Sequence, residues 1–141
     1  MQIEFSKYQG TGNDFILIDN RQGQCDNLSQ SDIQCYCDRR FGIGADGLIL
    51  IQLCADAAFE MVYFIADGSQ SFCGNGARCA VHFAGSLGID TRSVQFKAID
   101  GFHHAAQCGN EVKIHMQDVH EIIKDGSDFI LNTGSPHYVS M

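Results

Sequence analysis

The segment NGARCAVHFAGSLG, from Asn75 to Gly88, restricts how this chain can fold more than any other. Its spacing predicts a helix, and Gly88 is suited to the C′ position that follows the last turn. The helix is apolar on nearly every side, through Ala77, Cys79, Ala80, Val81, Phe83 and Ala84. Such a helix is normally buried inside a protein. The sequence therefore predicts a helix that other elements enclose.

Strand patterns lie on both sides of this segment. Before it come a hairpin with the tip GTGND and two apolar strands, DGLILIQL and AAFEMVYFIAD. After it come SVQFKAI, GFHHAAQ and EVKIHMQD, joined by Asp-Gly and Gly-Asn turns. A short helix is expected in LSQSDIQCYCDRRFGIG, capped by Ser29 or Ser31 and stopped by Gly42. This order predicts an α+β fold, a strongly curved, barrel-like, mostly antiparallel sheet around a central helix.

A domain boundary is expected near the polar stretch from 118 to 128. The late segment FILNTGSPHYV resembles the early segment EFSKYQGTGNDFILID, since both pattern as strand, glycine-bearing polar turn and strand. We therefore predict a first domain over 1–118 and the start of a second, similar domain over 119–141. The second domain is expected to be incomplete at residue 141.

Charge and composition exclude some classes of partner. The formal net charge is −8, with 9 Lys and Arg against 17 Asp and Glu, which disfavours nucleic acid binding. No run approaches the roughly 18 apolar residues of a membrane span, and no export signal is recognised at the start. We expect a cytoplasmic protein. Its seven cysteines are then expected to be reduced, mostly as buried small hydrophobic residues.

The segment SFCGNGARCA, from Ser71 to Ala80, carries the strongest chemical signal. Neither Cys35 with Cys37 nor Cys73 with Cys79 has the usual spacing of a structural zinc site, so no metal is expected. The Gly-Lys-Ser/Thr ending of a phosphate loop is absent from the segment. Cys73 directly precedes the predicted helix, where free N–H groups and the positive end of the helix dipole favour a thiolate.

The same helix start is suited to a small amino acid. Its N–H groups can hold a carboxylate, and Gly74 and Gly76 let a ligand approach the backbone closely. Asn75 can donate to a carboxylate or accept from an ammonium group. Cys79 is expected in the core.

Other polar residues are expected to have structural roles. Asp46 and Asp67 are expected to stabilise turns, and Arg39 is expected to be solvated or packed. The late histidines are expected at the surface: His103, His104, His115 and His120.

Four motifs in order resemble the diaminopimelate epimerase family: KYQGTGNDFILID, DRRFGIGADGLIL, ADGS and CGNGARCAVHFA, followed by NTGSPHYV. The resemblance implies an enzyme that interconverts LL- and meso-2,6-diaminopimelate without pyridoxal phosphate, metal or other cofactor. It implies two similar domains, each a barrel-like sheet around a central helix, that close on the small-molecule substrate. One cysteine from each domain then faces the α-carbon. A homodimer is the candidate assembly.

The resemblance also implies roles for individual residues. Cys73 matches the first catalytic cysteine, and Gly74 and Asn75 match the residues that hold the α-carboxylate and α-ammonium end. Asn13 matches a substrate-binding asparagine. The chain departs from the family pattern where Ile65 replaces an asparagine that contacts substrate and where Ser135 replaces the asparagine of GNPH.

The second catalytic cysteine lies in the family's second domain, and no other cysteine of this chain is in a matching motif. One alternative is therefore an epimerase-like binding module without catalysis. The other is a related cofactor-independent racemase or isomerase that acts on a different substrate.

Overall fold

The structure, a computed structural model, describes residues 2–141. The elements follow one another as β1 Ser6–Gly10, β2 Asn13–Asp19, α1 Gln30–Cys37, β3 Gly47–Gln52, β4 Phe59–Ile65, α2 Gly74–Ser86, β5 Val94–Ala98, β6 Gly101–Cys108, β7 Glu111–Ile114, β8 Ile122–Asp125, β9 Asp128–Asn132 and β10 Pro136–Val139. Within these residues, neither helix is long and apolar enough to cross a membrane.

The first seven strands form one sheet in sequence order, which curls around α2. The pairs β2–β3 and β4–β5 are parallel, and the other neighbours in this sheet are antiparallel. The predicted α+β fold, with a curved and mostly antiparallel sheet around a central helix, is confirmed. The parallel pairs arise because α1 and α2 each connect two strands that then run in the same direction.

Strands β2 and β3 are buried on both faces. Phe15 and Leu17 pack in the cluster around α2, whereas Ile16 and Ile18 pack in a second cluster with Ile33 of α1. Because side chains alternate along a strand, both clusters together require the unbroken apolar runs FILI and LILI. The position of α1 on the outer face thus follows from the sequence of β2 and β3.

Helix α1 has the predicted start but ends before the predicted stop. Ser29 is its N-cap and forms a capping box with Asp32. The helix ends at Cys37, not near Gly42, because Asp38 leaves helical geometry with ψ at 127°. The Asp38 carboxylate accepts hydrogen bonds from the N–H groups of the next turn at 2.8 and 2.7 Å. This side chain offers the backbone an alternative to the helix.

Helix α2 is enclosed as its composition predicts, and the chain turns at Gly88 with φ of 90°. Gly76 has another role than predicted, since it faces the sheet and not a ligand. A Cβ atom there would lie 3.1 Å from Ile49 Cδ1 and 3.4 Å from Met61 Cε. Gly76 therefore lets the first turn of α2 pack closely on the sheet.

The last three strands form a separate antiparallel sheet in the order β10–β9–β8. Strand β8 lies in the stretch that we interpreted as a polar boundary, and it forms because Ile123 pairs with Ile130 across the β8–β9 turn. The division of the chain into domains over 1–118 and 119–141 stays a prediction.

Two expectations about buried side chains are wrong. His103 is buried with 2% of its surface exposed, because the alternation of β6 turns it inward with Ala105. Its ring stacks on Phe72 at 4.3 Å between centroids, and its Nε2 lies 2.8 Å from Asp100 Oδ1. All seven cysteines are free thiols, but fewer are buried than expected: Cys25, Cys37 and Cys79 are buried, whereas Cys35 and Cys108 are exposed.

Candidate functional site

A cavity of about 370 Å³ lies at the N-terminal end of α2. Its walls come from the end of β4, the segment before α2, the first turn of α2, the segment that follows β7, and the β9–β10 hairpin. The lining residues are Tyr63, Ile65, Ser71, Phe72, Cys73, Gly74, Asn75, Met116, Thr133, Ser135 and His137. This size is at the lower end of the range for small-molecule sites, about 300–1,000 Å³.

The structure brings the five predicted site residues together. Cys73, Gly74, Asn75 and Ile65 line the cavity, and Asn13 contacts the Cys73 sulfur. Their roles toward a substrate stay predictions.

Cys73 is the N-cap residue of α2. Its backbone is extended, with φ of −140° and ψ of 119°, and its Sγ accepts from the Gly76 N–H at 3.4 Å. On the other side, Sγ lies 3.4 Å from Asn13 Oδ1. A half-buried sulfur at this point faces both the N–H groups of the first turn and the cavity. This geometry is suited to proton transfer with a ligand whose carboxylate lies on the same helix end.

The β1–β2 turn brings a second element to the helix start. Thr11 and Gly12 form its tip with φ of 57° and 83°, and Thr11 is the one residue other than glycine with positive φ among those described. Such a conformation is uncommon for a β-branched side chain. The Thr11 hydroxyl lies 3.4 Å from Asn75 Oδ1 and donates to it. With its oxygen used in this way, Asn75 has its amide N–H groups available to a ligand.

Asp46 is a site neighbour that the sequence interpretation missed. The parallel register of β2 and β3 pairs Phe15 with Gly47, so Asp46, just before β3, lies beside the first residues of β2. Asn13 Nδ2 consequently donates to Asp46 Oδ2 at 2.6 Å, and the Asp14 N–H donates to the same oxygen at 3.1 Å. The Asp-Gly pair at 46–47 is typical of a turn, and no local signal shows that it meets the GTGND tip.

Arg39 holds two carboxylates together beside this contact. It pairs with Asp14 at 2.7 Å and with Asp46 at 3.0 Å while its side chain stays exposed, which agrees with the expected solvated position. The hydrogen bond from Arg39 is the largest cause that holds the pKa of the Asp14 carboxyl well below its ordinary value of 3.8. Burial is the next cause and acts in the opposite direction, and the hydrogen bond from Lys7 lowers the pKa further. This carboxylate therefore stays charged in the folded protein at lower pH than in the unfolded chain.

Arg39→Ala is expected to reduce stability at neutral pH but not in acid. A lowered folded-state pKa stabilises the protein fully above the ordinary Asp value of 3.8, and this contribution is lost progressively as the pH falls from that value through the folded-state pKa. The free energy of unfolding of wild type and variant, measured by denaturant titration at several pH values, should therefore converge as the pH falls through this range. Arg40→Ala, an exposed neighbour, is the control. A difference that stays constant through the acid range would contradict this account.

Two other ionisable groups lie near the Cys73 sulfur. Burial, and secondarily the Cys73 charge, raises the pKa of Cys79 to about 11, so this thiol stays protonated and is confirmed as a core residue. Burial also raises the pKa of Tyr63 far above its ordinary value of 10.0, with the charge of Cys73 as the next cause. Tyr63 is therefore a neutral phenol on the cavity wall.

Several lining residues were not predicted as site residues. Ser135, which follows Gly134 in the late GSPH motif, is hydrogen-bonded to Ser71 at 3.1 Å between the two hydroxyl oxygens. The Thr133 hydroxyl oxygen and His137 Nε2 lie 2.9 Å apart across the β9–β10 turn. The GSPH motif was the available signal. In the described part of the chain, no group of three or more His, Cys, Asp or Glu side chains is arranged to hold a metal ion.

Solved structures share the fold at low sequence identity. A Bacillus anthracis phenazine biosynthesis protein of the PhzF family superposes with a TM-score of 0.72 at 15% identity, over 98% of this chain and 55% of that one. A hydroxyproline epimerase from Agrobacterium vitis superposes with a TM-score of 0.66 at 14% identity, over 96% of this chain and 50% of that one. Both are similar to this chain in fold.

Sequence relatives are much more similar. An enzyme named diaminopimelate epimerase in Flavobacterium psychrophilum is 51% identical over 139 residues, which are 97% of this chain and 54% of that protein. One of the same name in Chlorobaculum tepidum is 43% identical over 140 residues, 93% of this chain and 54% of that protein. The chain thus spans about half the length of these relatives. The family model for diaminopimelate epimerase matches residues 5–139. The chain belongs to the diaminopimelate epimerase family.

Proposed function

We propose that this chain supplies one catalytic half of an epimerase that interconverts LL- and meso-2,6-diaminopimelate. Cys73 is the proposed acid/base at the α-carbon, and no cofactor takes part. The observation that carries the proposal is the position of the Cys73 sulfur, at the start of α2 on a cavity wall and between the Gly76 N–H and the Asn13 amide. Family membership supports the substrate.

The geometry supports separate roles for the groups around the α-carbon, some in binding and one in proton transfer. The N–H groups of the first turn, at Gly74 and Asn75, would hold the α-carboxylate, and the Asn75 and Asn13 side chains would bind the amino-acid groups. Cys73 would exchange a proton with one face of the α-carbon. The electrostatic stabilisation of the carbanion is strongest when water is excluded.

Inversion of configuration requires a second acid/base on the opposite face. We propose that a second domain, of which residues 119–141 are the start, supplies it as a cysteine. The three-stranded sheet β8–β10 and the contribution of Ser135 to the cavity support this arrangement. A cytoplasmic location, a homodimer and the absence of nucleic acid or membrane partners stay predictions.

A second candidate function is binding without catalysis, and Ile65 favours it. Its side chain lies on the cavity wall with 37% of its surface exposed, at the position where the family usually has an asparagine that contacts substrate. A polar substrate group that meets Ile65 would lose a hydrogen bond, at a cost of about 1–3 kcal/mol. This chain would then bind its ligand more weakly than its relatives do.

Ile65→Asn is expected to raise kcat/KM by roughly tenfold, because the amide restores a partner to that polar group. The measurement uses residues 1–141 fused to the remaining half of the Flavobacterium psychrophilum relative. Ile99→Asn, at an exposed isoleucine outside the cavity, is the matched control and should leave kcat/KM unchanged. An unchanged or lower kcat/KM for Ile65→Asn would indicate that residue 65 does not contact the ligand.

The same fusion tests the proposed function itself. Purified fusion protein is incubated with LL-diaminopimelate, and the meso isomer is followed by chiral chromatography. Formation of meso product from LL substrate, and of LL product from meso substrate, is expected. A folded fusion that binds diaminopimelate without converting it would favour the binding module. One that neither binds nor converts it would contradict the substrate assignment.

A further inference from the structure

The Asn13 side-chain amide lies between a carboxylate and the Cys73 sulfur. Its Nδ2 is 2.6 Å from Asp46 Oδ2, and its Oδ1 is 3.4 Å from Cys73 Sγ. The oxygen and nitrogen of an amide are assigned from their neighbours. An ionised carboxylate only accepts hydrogen bonds, so the N–H side must face Asp46. The oxygen side then faces Cys73.

Asp46 is itself held in one orientation. Its Oδ2 also accepts from the Asp14 N–H at 3.1 Å, and its Oδ1 accepts from Arg39 at 3.0 Å. The Asp46 N–H donates in turn to Asp14 Oδ1 at 3.0 Å. Both carboxylate oxygens therefore have fixed donors, and the Asn13 amide has little freedom to turn over.

The two neighbours of the sulfur favour opposite protonation states. Only the S–H form can donate to Asn13 Oδ1, because a thiolate would face the lone pairs of that oxygen. The Gly76 N–H, by contrast, can donate to a thiolate. The orientation of the Asn13 amide therefore decides which of the two contacts is satisfied when the cavity holds no ligand.

We propose that Asp46 is a positioning residue that keeps the Asn13 oxygen directed at Cys73, so that the Cys73 S–H group donates to that oxygen in the empty cavity and the sulfur reacts more slowly. The link to turnover rests on the proposed function, in which Cys73 is the acid/base on one face of the α-carbon. The positioning itself depends only on the contacts among the three side chains, and it can be measured without substrate.

The test is the alkylation rate of Cys73 in the 141-residue chain, measured with iodoacetamide across a pH series and resolved by site with mass spectrometry. Asp46→Ala removes the acceptor that orients Asn13. We expect Cys73 to react roughly fivefold faster at neutral pH, the factor that corresponds to about 1 kcal/mol for one hydrogen bond.

Two conservative changes distinguish positioning from a merely structural role. Asp46→Asn keeps an oxygen that can accept from Asn13 Nδ2, so the Cys73 rate should remain close to wild type. Asp67→Asn changes an exposed turn aspartate that bonds Ser69, and it should have no effect. If Asp46→Asn raises the rate as much as Asp46→Ala does, the proposal is wrong.

Asn13→Ala removes the oxygen while Asp46, Arg39 and Asp14 keep their pairing. It should raise the Cys73 rate as Asp46→Ala does, and the double variant should be no faster than either single one. An unchanged rate in Asn13→Ala, or additive effects in the double variant, would overturn the proposal.

The buried thiols report folding within the same experiment. Cys25, Cys37 and Cys79 should stay unmodified in every folded variant. If these thiols react in Asp46→Ala, that variant is unfolded, and the Cys73 rate in Asn13→Ala then tests the proposal. Since no step needs diaminopimelate, an inactive fusion would contradict the proposed function and leave this result standing.

Discussion

Cys73→Ala is expected to lower the rate of epimerisation by the fusion about 10²–10⁴-fold, the usual contribution of a positioned acid/base group. Alanine removes the proposed acid/base at the start of α2, while the helix N–H groups that are proposed to hold the carboxylate remain. We therefore expect kcat to fall with little change in KM. Steady-state kinetics in both reaction directions provide the measurement.

The matched control is Cys108→Ala, which removes an exposed thiol far along β6. It should retain wild-type kcat. Cys79→Ala is a second control on the same helix, and it is expected to affect stability more than chemistry because Cys79 is core. If Cys73→Ala keeps more than a tenth of wild-type kcat, another residue performs the proton transfer.

Residues 1–141 alone are expected to form no meso product at rates typical of enzymes, roughly 1 per second or more. Cys73 is the one cysteine among the residues 2–141 that line the cavity, so a single face of the α-carbon has a dedicated acid/base. The cavity wall that a second domain would supply is also needed to exclude water. Without an acid/base group on the opposite face of the α-carbon, the step that inverts its configuration cannot take place.

The comparison protein is the fusion, assayed at the same concentration. Meso product from residues 1–141 at an enzymatic rate, abolished by Cys73→Ala, would contradict the expectation. It would mean that a second acid from another copy of the chain had replaced the opposing cysteine, and the rate would then depend on protein concentration.

The fold was predictable where local pattern and burial agree. The enclosed helix α2 follows from an apolar surface on nearly every side, and the hairpins follow from alternation and turn residues. The parallel pairing of β2 with β3 was not predictable in the same way, because it depends on which strand the chain meets after α1. Strand β8 was missed because Ile122 and Ile123 stand among polar residues and are stabilised only by pairing with β9.

The candidate site was predictable as a set of motifs but not as a network. Cys73, Gly74 and Asn75 are contiguous with the helix start, so local rules for helix N-termini indicate them. The contact of Asp46 with Asn13 requires the register of two strands that are distant in sequence. His103 was assigned to the surface because a polar side chain in a strand usually faces water, whereas here it pairs with Asp100 and stacks on Phe72.

The most direct test of the central claim, that Cys73 transfers a proton at the α-carbon, is deuterium incorporation. The fusion is incubated with LL-diaminopimelate in heavy water, and the meso product is analysed by mass spectrometry. The account predicts one deuterium at the inverted α-carbon of each product molecule, because the acid that completes inversion has exchanged with solvent. It also predicts that Cys73→Ala lowers the formation of deuterated meso product about 10²–10⁴-fold. Product that retains its original hydrogen, or that forms at the wild-type rate without Cys73, would contradict the account.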